Sequence, residues 1–132
     1  LRISSSFKRL LSLRTAHMVI KTFSEGQKPL TSCLISRTLE IPTRLIGQIL
    51  DELVESGVAS EIMTDEGNAL AYQPAKDTNI LTIKYIIDAL DKRGSDSVPV
   101  AQTKELKILA ETLKTFNDTI EKSPANKLLK DI

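Results

Sequence analysis

Apolar positions recur along this chain with a helical period over most of its length, and give way to two short extended runs in the middle. From 31 to 57 the pattern predicts two helices in succession. Thr31 is placed to cap the first, from Ser32 to about Leu39, with Leu34, Ile35, Thr38 and Leu39 on one face. Ile41-Pro42 interrupts it, because the residue before a proline is pushed out of the helical region. Thr43 restarts a helix in which Leu45, Ile46, Ile49, Leu50, Leu53 and Val54 repeat at i, i+3 and i+4, and Gly57 marks its stop. Val58 to Met63 and Ala69 to Gln73 then read as strands around the turn-rich Asp65-Glu66-Gly67-Asn68. Helix, turn, helix and two-stranded wing make a winged helix-turn-helix, so the expected class is mainly α with a small β-hairpin and a C-terminal helical extension.

The flanks are expected to be helical as well. Ser4 to Ser6 precede a helix from Phe7 to about Phe23, with Phe7, Leu10, Leu11, Ala16, Met18, Val19, Ile20 and Phe23 as core candidates. Thr82 should cap a helix over 83–93 that stops at Gly94, and 95–101, with Pro99, reads as a linker. A last helix is expected over about 103–122. Its Leu106, Leu109, Leu113, Phe116 and Ile120 follow the alternating three-four spacing of a coiled-coil seam, suited either to docking on the domain or to self-association. Leu128, Leu129 and Ile132 could form a short apolar hook. The expected organisation is a winged-helix unit over 1–94 (helix-turn-helix 31–57, wing 58–73, helix 83–93), then linker, helix and tail over 95–132.

Composition narrows the picture modestly. With 132 residues and 41% apolar content the chain can bury one core and not two large ones. No apolar run approaches the roughly 18 residues that span a bilayer. The chain starts at Leu1 without a Met or a signal-peptide pattern, which suggests a piece cut from a longer protein. The formal net charge of +1 hides an asymmetry. Residues 1–30 set Arg2, Lys8, Arg9, Arg14, Lys21 and Lys28 against Glu25 alone, while 31–75 set Arg37 and Arg44 against Glu40, Asp51, Glu52, Glu55, Glu61, Asp65 and Glu66. The winged-helix motif is therefore acidic.

That balance bears on the obvious use of such a motif. A DNA-binding winged helix lays its second helix in the major groove, and Lys and Arg at phosphates supply much of the affinity. Arg37, Thr43, Arg44 and Gln48 are the candidate nucleic-acid contacts, with Arg44 and Gln48 able to reach bases. Asp51, Glu52 and Glu55 on the same helix, and Asp65 and Glu66 at the wing tip, carry the wrong sign for phosphate. The acidic face therefore suits a basic protein partner better, and nucleic acid is disfavoured. Catalytic chemistry has less support. His17 is the single histidine and Cys33 the single cysteine, so no metal-ligand spacing exists. Asp51 and Glu55, one turn apart, read as a solvated face and not as an acid/base pair; Cys33 reads as core filler. No catalytic, metal or cofactor site is expected.

The stretch Leu39-Glu40-Ile41-Pro42-Thr43-Arg44-Leu45-Ile46, continuing through Ile49-Leu50-Asp51-Glu52-Leu53-Val54-Glu55-Ser56-Gly57, resembles two families. One is the Rrf2-type winged-helix regulators. The other is the cytosolic C-terminal domain of the YihY/BrkB membrane proteins, once labelled ribonuclease BN. The opening Phe7 to Arg14, the stretches Ala71 to Asp77 and Leu81 to Leu90, and the tail Glu121 to Asn126 look more like the second, in its Bacteroides-type members. Iron–sulfur sensors of the Rrf2 type carry several cysteines after the wing; this chain has none there.

The YihY resemblance implies membrane spans preceding Leu1, and Arg2, Lys8, Arg9 and Arg14 would then be membrane-proximal basic residues meeting anionic headgroups. On this reading the chain is a non-catalytic regulatory or protein-interaction domain at the cytoplasmic face of the inner membrane. The alternative is a dimeric, DNA-binding Rrf2-like transcription regulator. A further alternative, implied by the family label, is part of a tRNA-processing ribonuclease.

Overall fold

The computed structural model describes residues 2–132; Leu1, where the first expected unit begins, lies outside the described residues. The order is α1 (Ser5–Ser24), β1 (Leu30–Thr31), α2 (Ser32–Leu39), α3 (Thr43–Glu55), β2 (Ala59–Met63), β3 (Leu70–Pro74), α4 (Ile83–Asp91), α5 (Lys104–Lys122) and a 3-10 turn (Leu129–Asp131). Five helices around a small antiparallel sheet form a winged helix with a C-terminal helical extension.

Local chemistry sets the boundaries. Ser4, Thr31, Thr82 and Thr103 each accept an N–H of the first turn of the helix that follows, which satisfies one donor that no helical carbonyl reaches. Between α2 and α3, Glu40 takes the left-handed conformation at φ 54°, and the buried Ser36 hydroxyl donates to the Ile41 carbonyl at 2.6 Å. These contacts fix the angle between the two helices. At the end of α3, Gly57 (φ 79°) lets the Val58 N–H return to the Leu53 carbonyl at 3.0 Å, a Schellman closure that turns the chain directly into the wing.

The wing pairs β2 with β3 from Ala59↔Pro74 to Met63↔Leu70. The sequence did not predict β1, which pairs Leu30 with Tyr72 and Thr31 with Ala71 and gives the sheet the order β1-β3-β2. One layer of buried side chains holds everything together: Ala16, Val19 and Ile20 from α1, Ile35 from α2, Ile46, Ile49, Leu50 and Leu53 from α3, and Leu81, Ile86 and Leu129 from the distal part of the chain.

Two expectations about the core need correction. Phe7, Leu10 and Phe23 are 49%, 60% and 48% exposed, because α1 turns another stripe inward, Ser12, Thr15, Ala16, Val19, Ile20 and Thr22. Thr15 is tolerated there because its hydroxyl donates to the Leu11 carbonyl at 2.8 Å. Cys33 is exposed and is not core filler; α2 buries Ile35 and Ser36 instead.

The tail returns to the domain. Leu129 is buried, its N–H donates to the Leu81 carbonyl at 3.0 Å, and Lys21 Nζ donates to the Lys130 carbonyl at 2.8 Å. In contrast, α5 buries no residue at all, and its Leu109, Leu113 and Phe116 are each about three-fifths bare (62%, 60% and 59%).

Candidate nucleic-acid interface

The exposed surface of α3 begins at Pro42 and continues through Thr43, Arg44, Gln48, Asp51 and Glu55. Pro42 provides no side-chain cap, so the first-turn N–H groups of α3 stay open to a ligand. Thr43 Oγ1 lies 3.3 Å from Ser36 Oγ, which ties the start of α3 to α2. Arg37 stands exposed on α2, its guanidinium 3.7 Å from Cys33 Sγ.

Beside the N-terminus of α3 a groove of about 560 Å³ is lined by Arg2, Lys8, Pro42, Arg44 and Gln48. The fold thus brings Arg2 and Lys8, far away in sequence, to the same place as Arg44 and Gln48. Arg9 turns elsewhere, 3.4 Å from Asp91 at the end of α4, and Arg14 lies 3.4 Å from His17 Nδ1. The four basic residues that the sequence grouped as membrane-proximal are therefore divided among different surroundings.

The acidic side of α3 is not the free face that the sequence suggested. Glu52 is turned inward, its side chain 15% exposed, with Lys8 Nζ at 2.7 Å and Arg93 Nη1 at 3.6 Å. Arg93 also lies 3.8 Å from Glu55. At the wing tip Lys28 stands 3.5 Å from Glu66, a fully solvated pair that contributes little to stability but places a cation there. Three basic residues from outside the motif are thus folded onto three of its acids. Neither Arg2 nor Arg44 has an ion-pair partner among the described residues, which leaves both available at the groove.

Asp51 stays exposed and acts on the sheet: burial, and after it the charges of Glu61 and Asp51, push the Tyr72 phenol above its ordinary value of 10.0. His17 is held below 6.5, first by burial and then by Arg14 and Lys21, with Glu25 opposing. Sequence reasoning missed Arg93 and Lys28 as parts of this surface. No local pattern could have revealed the pairing, since Lys8 and Glu52 are 44 positions apart.

No protein-family model matches the chain, and no curated protein matches it. Solved structures do. IscR from T. potens matches with a TM-score of 0.63 at 15% identity, covering 99% of this chain and 88% of that one. CymR, the global cysteine regulator of B. subtilis, matches with 0.63 at 20% identity over 99% and 95%, and the oxidised form of Staphylococcus aureus CymR with 0.58 at 19% over 98% and 94%. The fold is theirs.

The likeness spans nearly the whole chain, and so includes the stretches Phe7 to Arg14, Ala71 to Asp77, Leu81 to Leu90 and Glu121 to Asn126, whose sequence looks more like the YihY/BrkB domain. The structural neighbours overturn that assignment: they are Rrf2-type transcription regulators, not domains of a membrane protein. The expected place at the inner membrane and the ribonuclease label rested on the same resemblance and fall with it. Among the described residues, no helix is long and apolar enough to cross a membrane.

Proposed function

We propose that this chain is a DNA-binding transcription regulator of the Rrf2 type, acting as a dimer and performing no chemistry of its own. One observation carries the reading: Arg2 and Arg44, neither of them in an ion pair among the described residues, converge with Gln48 on the groove at the open N-terminus of α3, and Lys8 beside them holds the Glu52 carboxylate. The groove joins positive charge for phosphates to an amide able to meet an adenine edge in two hydrogen bonds. Asp51 and Glu55 confine the approach to the first half of α3, so DNA would meet the helix end-on, with Lys28, held beside Glu66 of the wing tip, toward the flanking backbone. The dimer rests on the bare stripe Leu106, Leu109, Leu113, Phe116 and Ile120 of α5, which nothing in the chain's own domain covers.

Fluorescence anisotropy with mixed-sequence duplex DNA tests the reading. Binding should weaken steeply with salt, and Arg44→Ala should weaken it across sequences while reducing the log–log salt slope by about 1. Absence of binding at low salt, or binding indifferent to Arg44→Ala, would reject this surface as the DNA contact.

A further inference from the structure

A second cleft, of about 260 Å³, lies where the first half of α1 meets α3 and the C-terminal end of α4, and Lys8, Arg9, Ser12, Glu52, Asp91 and Arg93 line it. Ser12 is the unusual member. It is 3% exposed and opens onto this cleft, yet its hydroxyl makes no hydrogen bond among the described residues. Thr15, on the same buried stripe of α1, shows the ordinary solution by donating to a carbonyl one turn back. A buried hydroxyl left unpaired costs free energy, and such a group calls for a partner from outside the chain.

The cations of the cleft are also incompletely used. Lys8 is firmly held, 2.7 Å from Glu52. Arg93 donates its Nε to the Leu90 carbonyl at 3.1 Å, but its Nη1 stands 3.6 Å from Glu52 and 3.8 Å from Glu55, beyond hydrogen-bond reach. Arg9 reaches the two Asp91 oxygens at 3.4 and 3.5 Å, the long limit of such a bond. Both guanidiniums therefore keep N–H donors to spare. With three cations and a free hydroxyl against two carboxylates, the lining is positive and rich in donors.

We propose that this cleft binds inorganic phosphate in its hydrogen phosphate form, its oxygens accepting from Ser12, Arg9 and Arg93 and its O–H donating to Asp91. The volume lies below the roughly 300–1,000 Å³ of sites for larger ligands, so the occupant is compact. The carboxylates then choose among compact anions. Sulfate has no proton to donate and would set a bare oxygen against Asp91, and a site built around a ligand O–H rejects the analogue lacking it. Acetate offers two oxygens in one plane, too few for donors that converge from α1 and from the end of α4. Asp91 is free to turn toward the ligand, because its pair with Arg9 is solvated on both sides. The regulatory consequence rests on the DNA-binding reading. Lys8 lines both this cleft and the groove beside α3, so a dianion in the cleft holds its ammonium away from the DNA backbone and lowers DNA affinity.

Isothermal titration calorimetry of the whole chain with phosphate tests the site without DNA. Saturable binding is expected, with sulfate at equal ionic strength roughly tenfold weaker or more. Ser12→Ala removes a hydroxyl that has no partner in the fold, and Arg9→Gln removes only a solvated pair, so both variants should fold normally. Each should weaken phosphate binding roughly tenfold. The proposal is overturned by no phosphate binding, by sulfate binding as tightly, or by affinity unchanged in both variants. Anisotropy with labelled DNA separates the two claims. DNA should bind more weakly in phosphate than in sulfate of the same ionic strength, and Ser12→Ala should abolish the difference; an equal affinity in the two salts would overturn the coupling through Lys8. Phosphate binding with no DNA binding leaves the site and removes the regulator; DNA binding with no phosphate binding does the reverse.

Discussion

Glu52 stands on the helix proposed to approach phosphates, yet its carboxylate is turned back onto Lys8 and Arg93. This has opposite consequences for stability and for binding. Glu52→Gln keeps the shape but leaves two partly buried cations without their counter-charge, which should cost about 1–2 kcal/mol in urea unfolding. The same change frees Lys8 beside the groove, so DNA affinity should rise, not fall. A loss of DNA affinity as large as that of Arg44→Ala would mean that Glu52 is itself a contact, and the masking argument would be wrong. At this scale the sequence was legible only in part. The caps at Thr31 and Thr82 could be read because a threonine before an apolar-periodic run has one local use. The inward turn of Glu52 could not, because it depends on partners from α1 and the end of α4, and the exposure of Cys33 depends on Ile35 and Ser36 taking the buried face.

Elements differ in how much of themselves they declare. In α3 the apolar residues recur every three to four positions, so its buried face, Ile46, Ile49, Leu50 and Leu53, matched the reading. In α1 apolar residues lie on every side, and the inward stripe includes Ser12, Thr15 and Thr22, so a count of apolar positions chose Phe7, Leu10 and Phe23 wrongly. The two residues of β1 are too short a run for any alternation to show. The last helix was visible as a seam, but the sequence left open whether it closed the domain or met a second copy. With α5 bare along its length, the seam does not close the domain, and pairing with a second copy is the proposal it supports. Leu109→Asp with Leu113→Asp should convert a dimer to a monomer in sedimentation velocity without lowering the unfolding midpoint of the monomer, because neither side chain is buried. A dimer that persists through both changes would place the interface elsewhere. Truncation at Gly94 is a poorer test, since it also removes Leu129 from the core, and deleting such a side chain alone costs about 2–5 kcal/mol.

Across the whole molecule, charge read by sequence block misleads because folding moves it. Three of the motif's seven acids, Glu52, Glu55 and Glu66, are met by Lys8, Lys28 and Arg93, none of them within 31–75, and the free cations Arg2 and Arg44 gather at one helix end. A dimer made through α5 carries two such ends, related by a two-fold axis. A two-fold protein favours a two-fold site, with half-sites whose centres lie one helical turn of DNA or a multiple of it apart, about 10 base pairs per turn. Selection from random duplexes should therefore enrich an inverted repeat. Under the Leu109→Asp, Leu113→Asp changes the same selection should enrich single half-sites, at lower affinity and with a salt slope reduced by about half. An inverted repeat enriched equally by the monomeric variant would show that the two α3 helices are paired by something other than α5. Enrichment of no sequence at all, with salt-sensitive binding intact, would leave the groove as a phosphate contact and take base reading away from Arg44 and Gln48.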